Sequence, residues 1–271
     1  LASFLSTFRL RVSYGVNGTL PSDNYGYMSL INYTDKYLGQ PGGTITTVAN
    51  DRLSWETNYN TNVGVDFGFF NERLRGTIEY FNRDSKNLLQ DVPISMVTGF
   101  SSTLQNVGCI NNHGIELELS GDIISRNGWL WSAGANATFL RSEVKELYGG
   151  ADIIWYDPTS SDDRAMFIYR EGESTLAFYG YEWAGVDKTN GQSVYYVNDP
   201  ADPKAGDFLY NGRGATYDYN DANYTVIGNG VPKVYGGFNT SLSYKGIDLS
   251  LGFTYKVGGS LYDGAYMDVA D

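Results

Sequence analysis

Residues 232–259 read PKVYGGFNTSLSYKGIDLSLGFTYKVGG, and the alternation in this stretch decides the fold class. Phe238, Thr240, Leu242 and Tyr244 fall on one side, with Asn239, Ser241 and Ser243 on the other. After Lys245-Gly246 the pattern resumes, with Ile247, Leu249, Leu251, Phe253 and Tyr255 against Asp248, Ser250, Gly252 and Thr254. A period of two is the mark of a strand, and glycine supplies the backbone freedom of a tight turn. Pairing Tyr244 with Ile247 sets Leu242 opposite Leu249 and Phe238 opposite Phe253. The stretch is a hairpin with one apolar and one polar side.

Working outward, the same pattern recurs. Phe8, Leu10, Val12 and Tyr14 alternate with Arg9, Arg11 and Ser13. Tyr59, Val63, Val65, Phe67 and Phe69 share a side, and after 70–73 Leu74, Gly76, Ile78 and Tyr80 carry it back. Gly76 falls opposite Phe67, where a missing side chain leaves room for a ring. Ile115, Leu117 and Leu119 precede a turn at 125–128, and Trp129, Trp131, Ala133, Ala135, Ala137 and Phe139 follow it. Residues 15–50 and 82–113 hold Pro, Gly and Asn without sustained alternation and read as long loops. The apolar face is expected to gather Val63, Val65, Ala133, Ala135, Leu242, Leu249 and Leu251. The polar face is expected to gather Arg75, Glu79, Glu116, Glu118 and Asp248.

Short turns at one end and long loops at the other are the layout of an outer-membrane barrel. Phe69, Phe70, Trp129, Trp131 and Tyr244 lie beside the short turns, and Tyr59, Tyr80, Phe139, Tyr235 and Tyr255 lie toward the loops. Aromatic rings at both rims of an aliphatic band fit two membrane interfaces. Strands of roughly ten residues suit a crossing of about 9–11, whereas sandwich strands run nearer about 5–6. A soluble β-sandwich also alternates on its inner face, so period alone leaves that alternative open.

Composition narrows the function classes. A 42% hydrophobic and 15% aromatic content excludes wholesale disorder, and 23 Tyr with 33 Gly lean toward strands and turns. No apolar run approaches the ~18 residues of a membrane helix, which a barrel does not need. A formal charge of -12 argues against a nucleic-acid partner. Cys109 has no disulfide partner in the chain, and no zinc-ligand spacing exists. No secretory signal opens the chain, which for an exported protein implies a processed or partial chain. No nucleophile–base pair, phosphate loop or cofactor fingerprint is present, so neither enzymatic activity nor a metal or cofactor is expected.

Residues 152–231 allow two readings. FYGYEWAGVDKTNGQSVYYV at 178–197 turns at Thr189-Asn190-Gly191, either as two further barrel strands or as a hairpin inside one long loop. The following 201–224 are rich in Gly, Asp, Asn and Tyr with no period, which is loop chemistry.

Five phrases together resemble SusC/RagA-like TonB-dependent transporters, over much of the chain and in the family's order. They are FRLRVSYGVNG (8–18), LSWETNYNTNVGVDFGFFNERLRGTIEYF (53–81), GFSSTLQNVGCINNHGIELEL (99–119), FYGYEWAGVDKTNGQSVYY (178–196) and VIGNGVPKVYGGFNTSLSYKGIDLSL (226–251). The resemblance implies an all-β fold, an antiparallel transmembrane β-barrel segment supplying about eight to ten strands of a 22-stranded barrel. Residues 1–271 would then be a partial barrel domain, with the plug domain, the TonB-contacting segment and the last strands outside it. On this reading the chain stops at 267–271, inside a loop. The implied function is TonB-dependent uptake of an oligosaccharide or peptide across the outer membrane of a Gram-negative bacterium. The implied partners are a SusD-like lipoprotein over the extracellular mouth, TonB and outer-membrane lipid. The alternative is a soluble secreted or surface-attached β-rich glycan-binding protein.

For a binding site, Tyr179, Tyr181, Trp183, Tyr195 and Tyr196 are the candidates, because aromatic faces stack on sugars and extended peptides. The same alternation at Tyr179, Tyr181 and Trp183 would also suit a lipid-facing stripe. Glu116 and Glu118 read as polar lumen wall alongside Asp66, Glu79 and Asp248, and Asp162-Asp163 as a solvated turn. His113 reads as a loop residue just before a strand, and Cys109 as a small buried side chain. Relatives often carry NGDG where this chain has Asn211-Gly212-Arg213-Gly214. The resemblance thus implies a calcium-like loop whose acid has become a cation, leaving Asp207, Asp218 and Asp221.

Overall fold

The computed structural model describes residues 4–21, 24–34, 36–156 and 165–263. Asp162-Asp163 and the terminal 267–271 lie outside the described residues. The chain divides into two compact units, Leu1–Ala151 with Val234–Lys256, and Asp152–Lys233 with Val257–Asp271.

The first unit is built on seven long strands: β1 (Leu5–Thr19), β2 (Glu56–Phe69), β3 (Leu74–Lys86), β4 (Cys109–Arg126), β5 (Trp129–Glu146), β6 (Val234–Tyr244) and β7 (Ile247–Val257). They form one sheet in which each strand bonds its sequence neighbour, a meander with β1 and β7 as its edges. The short turns follow from backbone chemistry. Asn127-Gly128 and Lys245-Gly246 are left-handed at both positions (φ 53° and 81°, 49° and 86°), the type I′ geometry whose twist matches the flanking strands. At Phe70, Asn71 and Glu72 three consecutive side-chain-bearing residues take positive φ.

The registers join the apolar residues into rows across the sheet. One row runs Leu10–Val65–Ile78–Leu117–Ala137–Gly236, and the next toward the loops runs Val12–Val63–Tyr80–Ile115–Phe139–Val234. The expected pairing within β6 and β7 holds: Phe238 and Phe253 stack with centroids 6.4 Å apart, and the Ser241 and Ser250 hydroxyls lie 3.5 Å apart. Phe67 pairs with Gly76, and a Cβ on that glycine would overlap the Phe67 ring. The 11 residues of β6 cover about 37 Å along the strand, or about 26 Å of height at a tilt near 45°. The apolar face matches a bilayer core in height and is open, with Phe8 64% and Leu119 47% exposed.

Beyond the Tyr80–Ile115–Phe139 row the strands continue, contrary to the reading of 82–113 as one long loop. β3 runs on to Lys86 and β4 begins at Cys109, while Leu89–Pro93 and Ser102–Asn106 form a separate two-stranded ribbon. The extensions were hidden because both of their faces are mainly polar: Asn82, Arg83 and Asp84 pair with His113, Asn112 and Asn111. His113 accordingly sits inside β4 rather than before it, with Nδ1 against Asn111 Oδ1. Cys109 is buried at the start of the same strand.

The second unit holds two small sheets. Ile153–Tyr156, Ala165–Tyr169, Ala177–Gly180 and Thr225–Asn229 make one; Trp183–Val186, Ser193–Tyr196, Arg213–Thr216 and Phe208–Tyr210 make the other. Residues 178–197 therefore add nothing to the meander, which has seven strands among the described residues instead of the expected eight to ten. Four-residue strands cannot cross a membrane that needs about 9–11, and 178–197 split between both sheets. Among the described residues no α-helix occurs, only 3₁₀ turns at Met96–Thr98, Tyr148–Gly150 and Tyr219–Asp221.

Candidate functional site

The polar face of the first unit carries two adjoining rows, Arg9–Asp66–Thr77–Glu118–Asn136 and Arg11–Gly64–Glu79–Glu116–Thr138. Arg11 donates through Nε (2.9 Å) and Nη2 (3.0 Å) to both oxygens of Asp66, and its Nη1 lies 3.0 Å from Glu79 Oε2. It reaches Glu79 by lying across Gly64, where a Cβ would stand 3.0 Å from Nη2. One guanidinium thus links three strands, in the fork geometry that suits carboxylates. Arg75, Glu79, Glu116 and Glu118 all line hollows of this face, as expected of a polar wall.

Toward the loops the face becomes an amide ladder. Asn60 Nδ2 donates to Asn17 Oδ1 (2.7 Å), Asn62 Nδ2 to Ser13 Oγ (3.3 Å), and Arg83 Nε to Asn60 Oδ1 (2.8 Å). These groups border a concavity of about 800 Å³, whose apolar lining includes Phe81, Leu140 and Tyr235. Sequence reading passed over the site because asparagine repeated on one face of a strand looks like loop composition. Phe81 also breaks the alternation, standing on the polar side.

In the second unit, the five candidate aromatics separate into three settings. Tyr179, Tyr181 and Tyr195 gather around Tyr219 and Tyr224, with centroids 4.3 Å apart for Tyr181–Tyr224 and 6.1 Å for Tyr195–Tyr219. Burial, then the hydrogen bond to Tyr224, raise the Tyr181 hydroxyl pKa above its ordinary value. Trp183 pairs with Tyr195 in register and is 59% exposed. Tyr196 lies 3.7 Å beneath the Arg213 guanidinium. With Tyr179 and Trp183 in different sheets, one continuous lipid-facing stripe is ruled out.

Arg213 was not singled out as a binding group, yet it organises this region. It donates to both oxygens of Glu182 (2.9 and 2.8 Å) and to Asn198 Oδ1 (2.6 Å). Two aspartates of the implied calcium-like loop, Asp207 and Asp218, are turned to local bonds. Asp207 accepts from Thr216 Oγ1 (2.7 Å), and Asp218 caps the 3₁₀ turn by accepting from Asn220 N (2.9 Å). The hydrogen bonds from Arg213 hold the Glu182 carboxyl below its ordinary range, against the opposing effect of burial.

A pH dependence follows. A carboxylate whose folded pKa is depressed adds stability above its unfolded pKa, and that stability is lost as pH falls through the folded value. Arg213→Gln is expected to reduce protection of amides in 182–216 by about 0.5–1 kcal/mol at neutral pH, the scale of a solvent-screened ion pair. The gap from wild type should close as the solution is acidified below the carboxylate range. Hydrogen exchange of both proteins across pH checks this; a gap that does not change with pH would exclude the ion pair as its source.

Comparison with known proteins agrees with this geometry. Residues 2–262 match the family described as TonB dependent receptor-like, beta-barrel. The chain is 29% identical over 261 residues to TonB-dependent receptor P3 of Formosa agariphila, covering 95% of this chain and 26% of that protein. It is 27% identical over 277 residues to TonB-dependent receptor SusC of Bacteroides thetaiotaomicron, covering 97% and 26%. The solved RagAB peptide transporter matches with a TM-score of 0.77 at 32% identity, and the RagAB peptide importer in its open-open state with 0.80 at 31%. Both matches cover 95% of this chain and 27% of the other. The chain spans about a quarter of the length of the relatives it matches. An open meander with one apolar and one polar face, matched along nearly its whole length, leaves one assignment: the chain belongs to the TonB dependent receptor-like β-barrel family and is a segment of an antiparallel transmembrane barrel.

Proposed function

We propose that the chain supplies wall and extracellular loops to a TonB-dependent importer in the outer membrane of a Gram-negative bacterium, carrying an oligosaccharide or peptide. The observation that carries this reading is the sidedness of the seven-stranded sheet. An apolar face about 26 Å tall backs a face crossed by Arg11, Asp66, Glu79, Glu116 and Glu118. A soluble glycan-binding sandwich would cover such an apolar face with a second sheet, whereas here its residues are open to the surroundings. Residues 1–271 are read as part of a barrel domain, with TonB engaged by regions of the protein outside this chain. Fractionation of native cells provides the test. The full-length protein should sediment with the outer membrane and need detergent for extraction; recovery as a compact monomer in plain buffer would overturn the reading.

A SusD-like lipoprotein is the proposed partner at the extracellular mouth. Residues 84–112 and 199–225 are proposed to contact it, and the turns at 71–73, 126–128 and 245–246 to face the periplasm. Crosslinking of the native complex should map to the first set; crosslinks concentrated in the short turns would invert the topology. The five aromatics Tyr179, Tyr181, Trp183, Tyr195 and Tyr196, in their three settings, are proposed as substrate contacts. Trp183 is exposed, as is Tyr219, the ring around which Tyr181 and Tyr195 gather.

A further inference from the structure

We propose that the concavity on the polar face of β1–β5 binds neutral oligosaccharide, with Phe81 as the surface on which a sugar ring stacks. The inference rests on the importer reading, in which this face lines the lumen, and it chooses between the two substrate classes of that reading. Phe81 pairs in register with Asn62 on β2 and Gly114 on β4. Its ring lies across Gly114, with Cζ 2.7 Å and Cε1 2.9 Å from where a Cβ would stand. The glycine thus leaves the ring spread over the sheet instead of standing off it. Around it stand Asn62, whose Nδ2 is committed to Ser13 while its oxygen is left over, and Asn112, whose amide has no partner among the described residues. Among the described residues Arg83 is engaged only through Nε, which keeps its terminal nitrogens available, and Glu116 presents a carboxylate with no ion-pair partner.

This collection suits a sugar. A pyranose offers one apolar face and a rim of hydroxyls that both donate and accept, and the hollow offers a ring rimmed by groups of both kinds. Charge argues for neutrality. Arg11 neutralises Glu79, and Arg83 and Glu116 offset one another in the same lining, so neither an anion nor a cation finds a convergent set of opposite charges. An extended peptide is the weaker fit, since strand addition needs a free edge. β2, β3 and β4 are bonded on both sides, leaving no backbone to pair with.

The test uses the full-length transporter in detergent, titrated calorimetrically with neutral oligosaccharide ladders from starch, xylan, mannan and laminarin, and with a tryptic casein digest. At least one ladder should bind. Phe81→Ala should weaken that binding by roughly tenfold, Asn112→Ala should weaken it without altering the fold, and Phe81→Tyr should retain it. Binding of the digest with none of the ladders would overturn the proposal, as would binding of neither. So would ladder affinity unchanged in both alanine variants. Failure of the importer reading itself would appear separately, as full-length protein in the soluble fraction.

Discussion

Arginine in place of Leu119 is expected to destabilise the barrel by ~2–4 kcal/mol in a bilayer, whereas arginine in place of Thr138 should cost little. Leu119 belongs to the row Phe8–Phe67–Gly76–Leu119–Ala135–Phe238, near mid-height between the Trp129–Tyr244 pair beside the turns and the Tyr80–Ile115–Phe139 row beside the loops. A charge there must be dehydrated or must thin the membrane around itself, and snorkelling is least effective at mid-height. Thr138 lies one step from that face, opposite Glu116 on the polar side, where an added cation meets water and a carboxylate. Position matters as much as face. Leu242 pairs with Trp131 only one row above the turns, so an arginine at Leu242 or at its expected partner Leu249 should cost less than at Leu119. Unfolding of the full-length protein in liposomes measures all of these. Equal penalties at Leu119 and Thr138 would refute the assignment of faces.

The same contrast explains which parts of the fold are legible in the sequence. Wherever one face of a strand meets lipid and the other meets water, alternation is enforced. The hairpins around 70–73, 127–128 and 245–246 were accordingly legible down to the pairing of Phe238 with Phe253. Where both faces carry polar side chains the constraint disappears. The extensions through Asn82–Ser85 and Asn111–His113 are as regular as the rest of β3 and β4, yet their sequence reads as loop. The polar hollow was hidden for a related reason. Its amides look like turn formers one at a time and become a ladder only when β1, β2 and β3 are set side by side. Arg213 shows the remaining gap: its partners Glu182, Asn198 and Tyr196 are distant in sequence, and no local pattern announces them.

Residues 1–271 produced on their own, in buffer without detergent, are expected to aggregate or to collect in inclusion bodies. β1 bonds only β2 and β7 bonds only β6, and no hydrogen bonds join Phe8–Tyr14 to Ile247–Tyr255 among the described residues. Each edge therefore offers a row of backbone N–H and C=O groups that neither lipid nor a folded neighbour satisfies within this chain. Both edge strands are also exposed along almost their whole length, with Leu10, Val12, Leu249 and Phe253 turned outward. Edges of this kind invite strand addition between copies, and the apolar faces of the added copies then associate in water. The two effects reinforce each other, because every copy added to one edge widens the apolar surface and presents a fresh edge. Sedimentation and size-exclusion chromatography decide the matter. A monodisperse monomer without detergent would mean that the edges are closed by contacts absent from this sheet, and the open-wall description would fail.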